Sequence, residues 1–327
     1  MSTRPVTRIA IVGAGAIGGA VAARLVEAGI DVTVVARGAH ADAIERNGLA
    51  LAEPNRVITV PVPVVRTVDD LEIDASTMIA LAVKSPDTAG VLDELVRVAP
   101  TDTRVACFQN GVANERAVAE RFPKTYGVVV MMPAAHLEPG RVEAYASPIP
   151  GLFDIGLASG AVDDGARELA SLLGRGGFDA QAVPNVMRWK YTKLLMNVGN
   201  AVEAMCGLDA AAIELVGRAR TEAIECFRAA RIDFASRRQE RRRRGKLLQV
   251  GEIDGSGRGG GSSWQSLARG LGTIEADALN GEVVRIGAAA GVPTPVNELL
   301  VARANQAAAD RVAPGSVDAG GLLSALG

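Results

Sequence analysis

Arg8 to Arg37 read RIAIVGAGAIGGAVAARLVEAGIDVTVVAR, and the architecture of the chain follows from this stretch. Its apolar opening, Ile9 to Val12, has the length of a buried strand and stops at a glycine, as strands of a parallel sheet do when both faces are covered. Gly13, Gly15 and Gly18 follow at GxGxxG spacing, and an alanine-rich helical pattern runs from Ala16 to Ala28. The three glycines serve different ends. Gly13 permits the tight turn, Gly15 removes a side chain where a pyrophosphate must meet the backbone, and Gly18 lets the helix lie close to the strand. The helix start, at Ala16 and Ile17, offers unpaired N–H groups to those phosphates.

A second strand, Val32 to Val35, completes a unit that reads as a dinucleotide site. A flavin or methyl-donor site on a similar strand, turn and helix is the alternative. Such sites commonly carry an acidic residue at the end of the second strand to hold ribose hydroxyls, and here that end carries Arg37, with no Asp or Glu between Val32 and His40. A guanidinium suits a 2′-phosphate, so NADP(H) is favoured over NAD(H). An arginine merely exposed at a strand end is the plainer account.

A length of 327 residues predicts two domains, and a formal net charge of −2 calls for neither nucleic acid nor membrane as a partner. No signal peptide is expected before the first strand, and no apolar run has the length of a membrane span. Cys107, Cys206 and Cys226 are far apart and read as reduced core thiols, so a cytoplasmic setting is expected. His40 and His136 are the only histidines, which argues against a histidine proton relay and a His/Cys zinc site; no metal is predicted. Tyr126, Tyr145 and Tyr191 each lack a lysine four residues on, which removes the Tyr/Lys arrangement of short-chain dehydrogenases. By elimination, a proton donor in a hydride-transfer enzyme would be a lysine or a carboxylic acid.

Further along, Met78 to Val83 reads as another buried strand ending on Lys84 of AVKSPDT, and Arg104 to Phe108 as one ending on Gln109, Asn110 and Gly111. Ligands bind outside the carboxyl ends of such strands, which points Lys84 and Asn110 at the crevice, although an Asn-Gly pair is also a common turn. Pro184 and Asn185 mark a change to helical character. The expected fold class is therefore α/β: a Rossmann-type parallel-sheet domain over residues 1–185, followed by a mainly α-helical C-terminal domain over residues 186–327. One long helix is expected from about Val186 to Cys206, with Trp189, Lys193, Asn197 and Asn200 on one face and Lys190 on the neighbouring one. A solvated helix face is the plainer reading of that stripe. Arg237 to Lys246, RRQERRRRGK, reads as a solvated helix end followed by a flexible linker from Gly255 to Gly261, with an acidic or nucleic-acid contact as the minor alternative. Ser262 or Ser263 would cap a helix, Thr273 to Ile286 would form another containing Glu275, and Pro295 would open a terminal helix to about Val312.

Taken together, the GAGAIG turn, the arginine after the second strand, the lysine of AVKSPDT, the QNG strand end, KLxxN on the long helix and the late Ser, Glu and Asn-Gly segment resemble the ketopantoate reductase (2-dehydropantoate 2-reductase) family over nearly the whole chain. The resemblance implies hydride transfer from NADPH to the ketone of a 2-keto acid, giving a 2-hydroxy acid, with ketopantoate to pantoate in the pantothenate pathway as the family reaction. It implies Lys193 as general acid and Glu275 as the group that orients it and borders the cofactor. It also implies Gly13, Gly15, Ala16, Ile17, Gly18 and Arg37 as cofactor-binding, Lys84 and Asn110 beside the nicotinamide, and Asn110, Asn197 and Ser263 as substrate-binding, in a cleft that closes over both ligands. A homodimer is compatible with it. The family commonly has a second asparagine where this chain has Ala201, with Asn200 one residue early as a substitute, and a methionine where this chain has Trp264. A reductase of a different keto acid and an NADP-binding sensor without turnover are the alternatives.

Overall fold

The computed structural model describes residues 4–327. β1 (Arg8–Val12) leads through α1 (Ala16–Glu27) to β2 (Asp31–Val35) and α2 (Gly38–Asn47), then to β3 (Leu49–Glu53), β4 (Arg56–Val60), β5 (Val64–Val65) and β6 (Thr77–Leu81). A 3-10 turn at Ser85–Asp87 opens α3 (Thr88–Val98), and β7 (Arg104–Cys107), α4 (Ala113–Ala119), β8 (Thr125–Met131), β9 (Ala134–Ala135), β10 (Arg141–Ala144), β11 (Ala146–Pro148), β12 (Leu152–Leu157), α5 (Asp164–Arg175) and β13 (Asp179–Ala182) follow. The eight-stranded main sheet has the order β13-β12-β8-β7-β6-β1-β2-β5, and only the β8–β12 pair is antiparallel.

Alternate residues of the central strands serve two apolar layers. Ile9 and Ile11 enter one layer with Met78 and Ala80, whereas Ala10 and Val12 enter the other with Ile79 and Leu81. β1 therefore carries no polar face, as its uninterrupted apolar run requires. The chain leaves β1 toward β2 and later returns to its other side at β6, so the strand order reverses at β1. That is where an open α/β sheet leaves a crevice beyond its carboxyl ends.

The chain forms two compact units. The sheet unit comprises the chain up to Gln109, Asn114–Met187 and Gln239–Arg258. The helical unit takes Asn110–Ala113, Arg188–Arg238 and Gly259–Gly327. Its main helices are α6 (Val186–Asn197), α7 (Asn200–Cys206) and α8 (Ala210–Ala229); α9 (Arg237–Arg244) and β14 (Leu248–Val250) come next, then α10 (Ser262–Ala268), α11 (Ala276–Ala290), α12 (Pro295–Ala309) and α13 (Ala319–Ser324). The Asp209 carboxylate caps α8 by accepting from Ala212 N at 2.7 Å. The buried Glu222 carboxylate accepts from Val296 N and Asn297 N at 2.9 and 3.0 Å, satisfying the orphan donors where α12 starts behind Pro295.

Several sequence expectations need correction. The long helix from Val186 breaks at Val198 and Gly199, so Asn200 opens α7 and does not continue the stripe of α6. The Val198 carbonyl accepts from the buried Asn280 Nδ2 at 3.0 Å, and a Cβ on Gly199 would lie 3.0 Å from Val216, so both residues of the break are held by distant contacts. The helix expected from Thr273 begins only at Ala276, because Gly270 and Gly272 have φ of 58° and 73° and turn the chain beforehand. Gly261 caps α10, and Ser262 and Ser263 are its first helical residues.

The arginine-rich stretch is not simply solvated. Arg243 Nε donates to Asp154 of β12 at 2.6 Å, and a terminal guanidinium nitrogen donates to Asp179 of β13 at 2.8 Å. β14 then pairs antiparallel with β11, so Gln239–Arg258 is part of the sheet unit. Nor are the later glycines only a linker: the Trp264 ring covers Gly259 and Gly260, and a Cβ on Gly259 would approach it to 2.7 Å.

Candidate functional site

At the carboxyl end of β1, Gly13 has φ of 104°, and a Cβ there would sit 2.9 Å from Val83 N. A Cβ on Gly18 would strike the Gly13 carbonyl oxygen and come within 2.9 Å of the Ala82 side chain. Both glycines are thus closed in by the strand end that follows β6. Gly15 differs: a Cβ there meets nothing within 4 Å, and no side chain caps α1. Backbone N–H groups at Ala16 and Ile17, a helix N-terminus and an open approach at Gly15 together form a cradle suited to a pyrophosphate. The residues present therefore fit a dinucleotide.

Arg37 is the N-cap residue of α2, and its side chain is 67% exposed. Its guanidinium reaches Glu94 on α3 at 3.4 Å, an acidic neighbour that the local sequence does not reveal. A contact so long and solvated is weak, which leaves the guanidinium free to take a phosphate. Lys84 follows β6, half-buried and with extended backbone, as the N-cap of the Ser85–Asp87 turn.

His40 is a structural residue. One ring nitrogen lies 2.8 Å from the Ala14 carbonyl and the other accepts from Gly140 N at 2.9 Å, an arrangement that requires the neutral Nε2–H tautomer. The ring also packs against His136 at a centroid separation of 4.1 Å. Burial pushes the half-buried Cys206 thiol up to about 11, which makes it a poor nucleophile at neutral pH.

In the helical unit, Lys193 of α6 is half-buried, and its Nζ donates to Asn110 Oδ1 at 2.8 Å. These two predicted residues, 83 positions apart in the chain, are brought together. Gly111 behind Asn110 has φ of 79°, and a Cβ there would sit 2.9 Å from the Ala278 carbonyl of α11, so the Asn-Gly turn packs tightly and could not carry a larger residue. Lys190 is nearly fully buried at 2% exposure.

One turn after Lys193, Asn197 is buried, and its Nδ2 has no hydrogen-bond partner. A buried amide donor without a partner is costly, and a ligand acceptor would relieve that cost. Ser263 of α10 is buried and Asn200 half-buried. Glu203 of α7, missed in the sequence, accepts from Gly261 N at 3.2 Å and steadies the start of α10, while the neighbouring Ser262 Oγ is buried without a partner. Glu275 is buried and stands at the N-cap of α11, not inside the helix. Asn280 is a buried strut whose Nδ2 also donates to Asn297 Oδ1 at 2.9 Å. No signal in the local sequence distinguishes these roles, since each depends on a partner far along the chain.

Comparison with known proteins finds relatives that match most of the chain. The family profile described as ketopantoate reductase PanE/ApbA matches residues 9–159, and the profile of its C-terminal part matches residues 185–308. A 2-dehydropantoate 2-reductase of Archaeoglobus fulgidus is 31% identical over 90% of this chain and 96% of its own length. One from Pyrococcus horikoshii is 25% identical over 90% and 95%. A crystal structure of a PanE/ApbA family ketopantoate reductase from Ralstonia eutropha superposes with a TM-score of 0.76 at 26% identity, covering 93% of this chain and 99% of that one. Among the described residues no helix is long and apolar enough to cross a membrane.

Proposed function

The chain belongs to the ketopantoate reductase PanE/ApbA family and is an oxidoreductase of the keto-acid-reducing kind, and on that premise we propose that it reduces 2-dehydropantoate to pantoate with NADPH, a step of pantothenate synthesis. NADPH, when bound, supplies the hydride. Gly13, Gly15, Ala16, Ile17 and Gly18 hold its pyrophosphate, Arg37 takes the 2′-phosphate, and Lys84 and Asn110 border the nicotinamide. Lys193 stabilises the charge developing on the substrate carbonyl oxygen and delivers the proton there from Nζ. Glu275 keeps Lys193 oriented and borders the cofactor, while Asn197, Asn200 and Ser263 take the polar ends of the acid.

The single observation that carries this assignment is the 2.8 Å hydrogen bond from Lys193 Nζ to Asn110 Oδ1. One of the three ammonium donors is spent on Asn110, which fixes the position of Nζ. A second proposal, reduction of a different 2-keto acid, is favoured by Ala201, which is buried where an amide was expected, and by Trp264 on its glycine bed.

Oxidation of NADPH followed by absorbance, against ketopantoate and a panel of larger and smaller 2-keto acids, tests both. Lys193→Ala is expected to lower turnover by about 10²–10⁴ with NADPH binding nearly intact. The same loss in Lys190→Ala alone would reassign the proton to that residue. Activity on another acid with none on ketopantoate would select the second proposal, and tight NADPH binding without reduction of any acid would refute both.

A further inference from the structure

Four buried or half-buried side chains form an unbroken hydrogen-bond chain around Lys84. Gln109, at the end of β7, donates from Nε2 to the Val83 carbonyl at 3.0 Å and to Thr88 Oγ1 at 2.8 Å. Thr88 Oγ1 in turn donates to Asn114 Oδ1 at 3.0 Å, and Asn114 Nδ2 donates to Ser85 Oγ at 3.1 Å. Gln109, Thr88 and Asn114 are each at most 5% exposed. The chain therefore begins on the residue before Lys84 and ends on the residue after it. The Lys84 carbonyl is also held, accepting from Asp87 N at 2.9 Å.

The same residues bear on the glycine turn. The Val83 backbone held by Gln109 is the surface against which Gly13 packs, with no room for a Cβ between them. Ala82 N donates to the Val12 carbonyl at 2.9 Å, and Phe108 N to the Leu81 carbonyl at 2.8 Å, so the ends of β1, β6 and β7 are tied in series. A buried chain of hydrogen bonds of this kind is stiff, and breaking one link leaves further polar groups unpaired in a dry site.

We infer that Gln109, Thr88 and Asn114 are positioning residues for dinucleotide binding: they set Lys84 without touching the ligand themselves. This inference rests on the cofactor assignment proposed above, in which Lys84 borders the nicotinamide. Thr88 is the hub, because its one hydroxyl both accepts from Gln109 and donates to Asn114. Thr88→Val keeps the shape and removes both bonds, while Thr88→Ser keeps the hydroxyl.

The test is calorimetric titration of the full chain with NADPH and, separately, with 2′,5′-ADP, which lacks the nicotinamide half, with a thermal melt recorded for each variant. Thr88→Val is expected to weaken NADPH about tenfold, to leave 2′,5′-ADP unchanged, and to be rescued by Thr88→Ser. In a Lys84→Ala background Thr88→Val should add little, since the positioned group is gone. Equal losses in Thr88→Val and Thr88→Ser, or the same factor with and without Lys84, would overturn the inference. Because binding is the readout, failure to reduce any keto acid would refute the proposed reaction and leave these dissociation constants to decide this inference.

Discussion

Arg243→Ala removes the counter-charge of two carboxylates in the sheet unit. The guanidinium is 15% exposed and Asp154 7%, and they meet at 2.6 Å, while Asp179 is 23% exposed and meets the same guanidinium at 2.8 Å. Burial pushes the Asp154 carboxyl up from its ordinary range against the pull of Arg243, and Asp179 adds like-charge repulsion. Without the arginine the two carboxylates are left as an uncompensated pair, for which a loss of about 3 kcal/mol is the low end of the usual cost. In a unit of this size that corresponds to a fall in Tm of about 6–12 °C. The sign with pH follows from the same geometry. A carboxyl whose folded pKa lies above its unfolded value contributes most below the unfolded value, and loses that contribution as pH rises through the folded one. Removing Arg243 raises the folded value further, so the deficit of the variant should be largest near neutral pH and narrow toward roughly pH 4. Differential scanning calorimetry of the full chain, followed across that range, measures both effects. Combining Asp154→Asn, Asp179→Asn and Arg243→Gln should recover most of the loss, since no charge then stays buried. A fall under about 2 °C, or a deficit that does not narrow in acid, would refute the ion-pair account.

The remaining predictions concern the dinucleotide cradle. Arg37→Asp should weaken NADPH far more than NADH by fluorescence titration, because the exposed guanidinium is assigned to the 2′-phosphate; equal losses would remove that assignment. Gly15→Val should abolish dinucleotide binding with little change in Tm, as its side chain would enter open space, whereas Gly18→Ala should lower Tm because its Cβ meets the Gly13 carbonyl. A Gly15 variant that binds NADPH normally would place the pyrophosphate elsewhere.

Much of the sheet unit was legible because its signals are local. The apolar run of β1, the glycine spacing and the alanine-rich α1 lie within one stretch, and each constrains backbone that it directly occupies. The length of α6 is less legible: Gly199 is a weak local break signal, and the contacts that hold the break come from Asn280 and Val216, far along the chain. The arginine block misled in the same way. Four consecutive arginines look equivalent along a helix, yet one of them meets two carboxylates on adjacent strands of the main sheet, the farther of them 89 residues away in sequence.

The candidate site divides along this line. Gly13, Gly15, Gly18 and the residue type at position 37 read as a phosphate cradle in sequence alone, since a turn without side chains and a helix start are properties of consecutive residues. Lys193 could be named as a candidate but was indistinguishable from a solvated lysine until Asn110 came within 2.8 Å of it. The shared role of Gln109, Thr88 and Asn114 could not be read, because a buried polar chain exists only once the ends of β6 and β7 and the starts of α3 and α4 have been brought together. Backbone conformation is encoded over a few neighbouring residues, whereas burial and hydrogen-bond partnership arise from contacts between residues far apart in the chain.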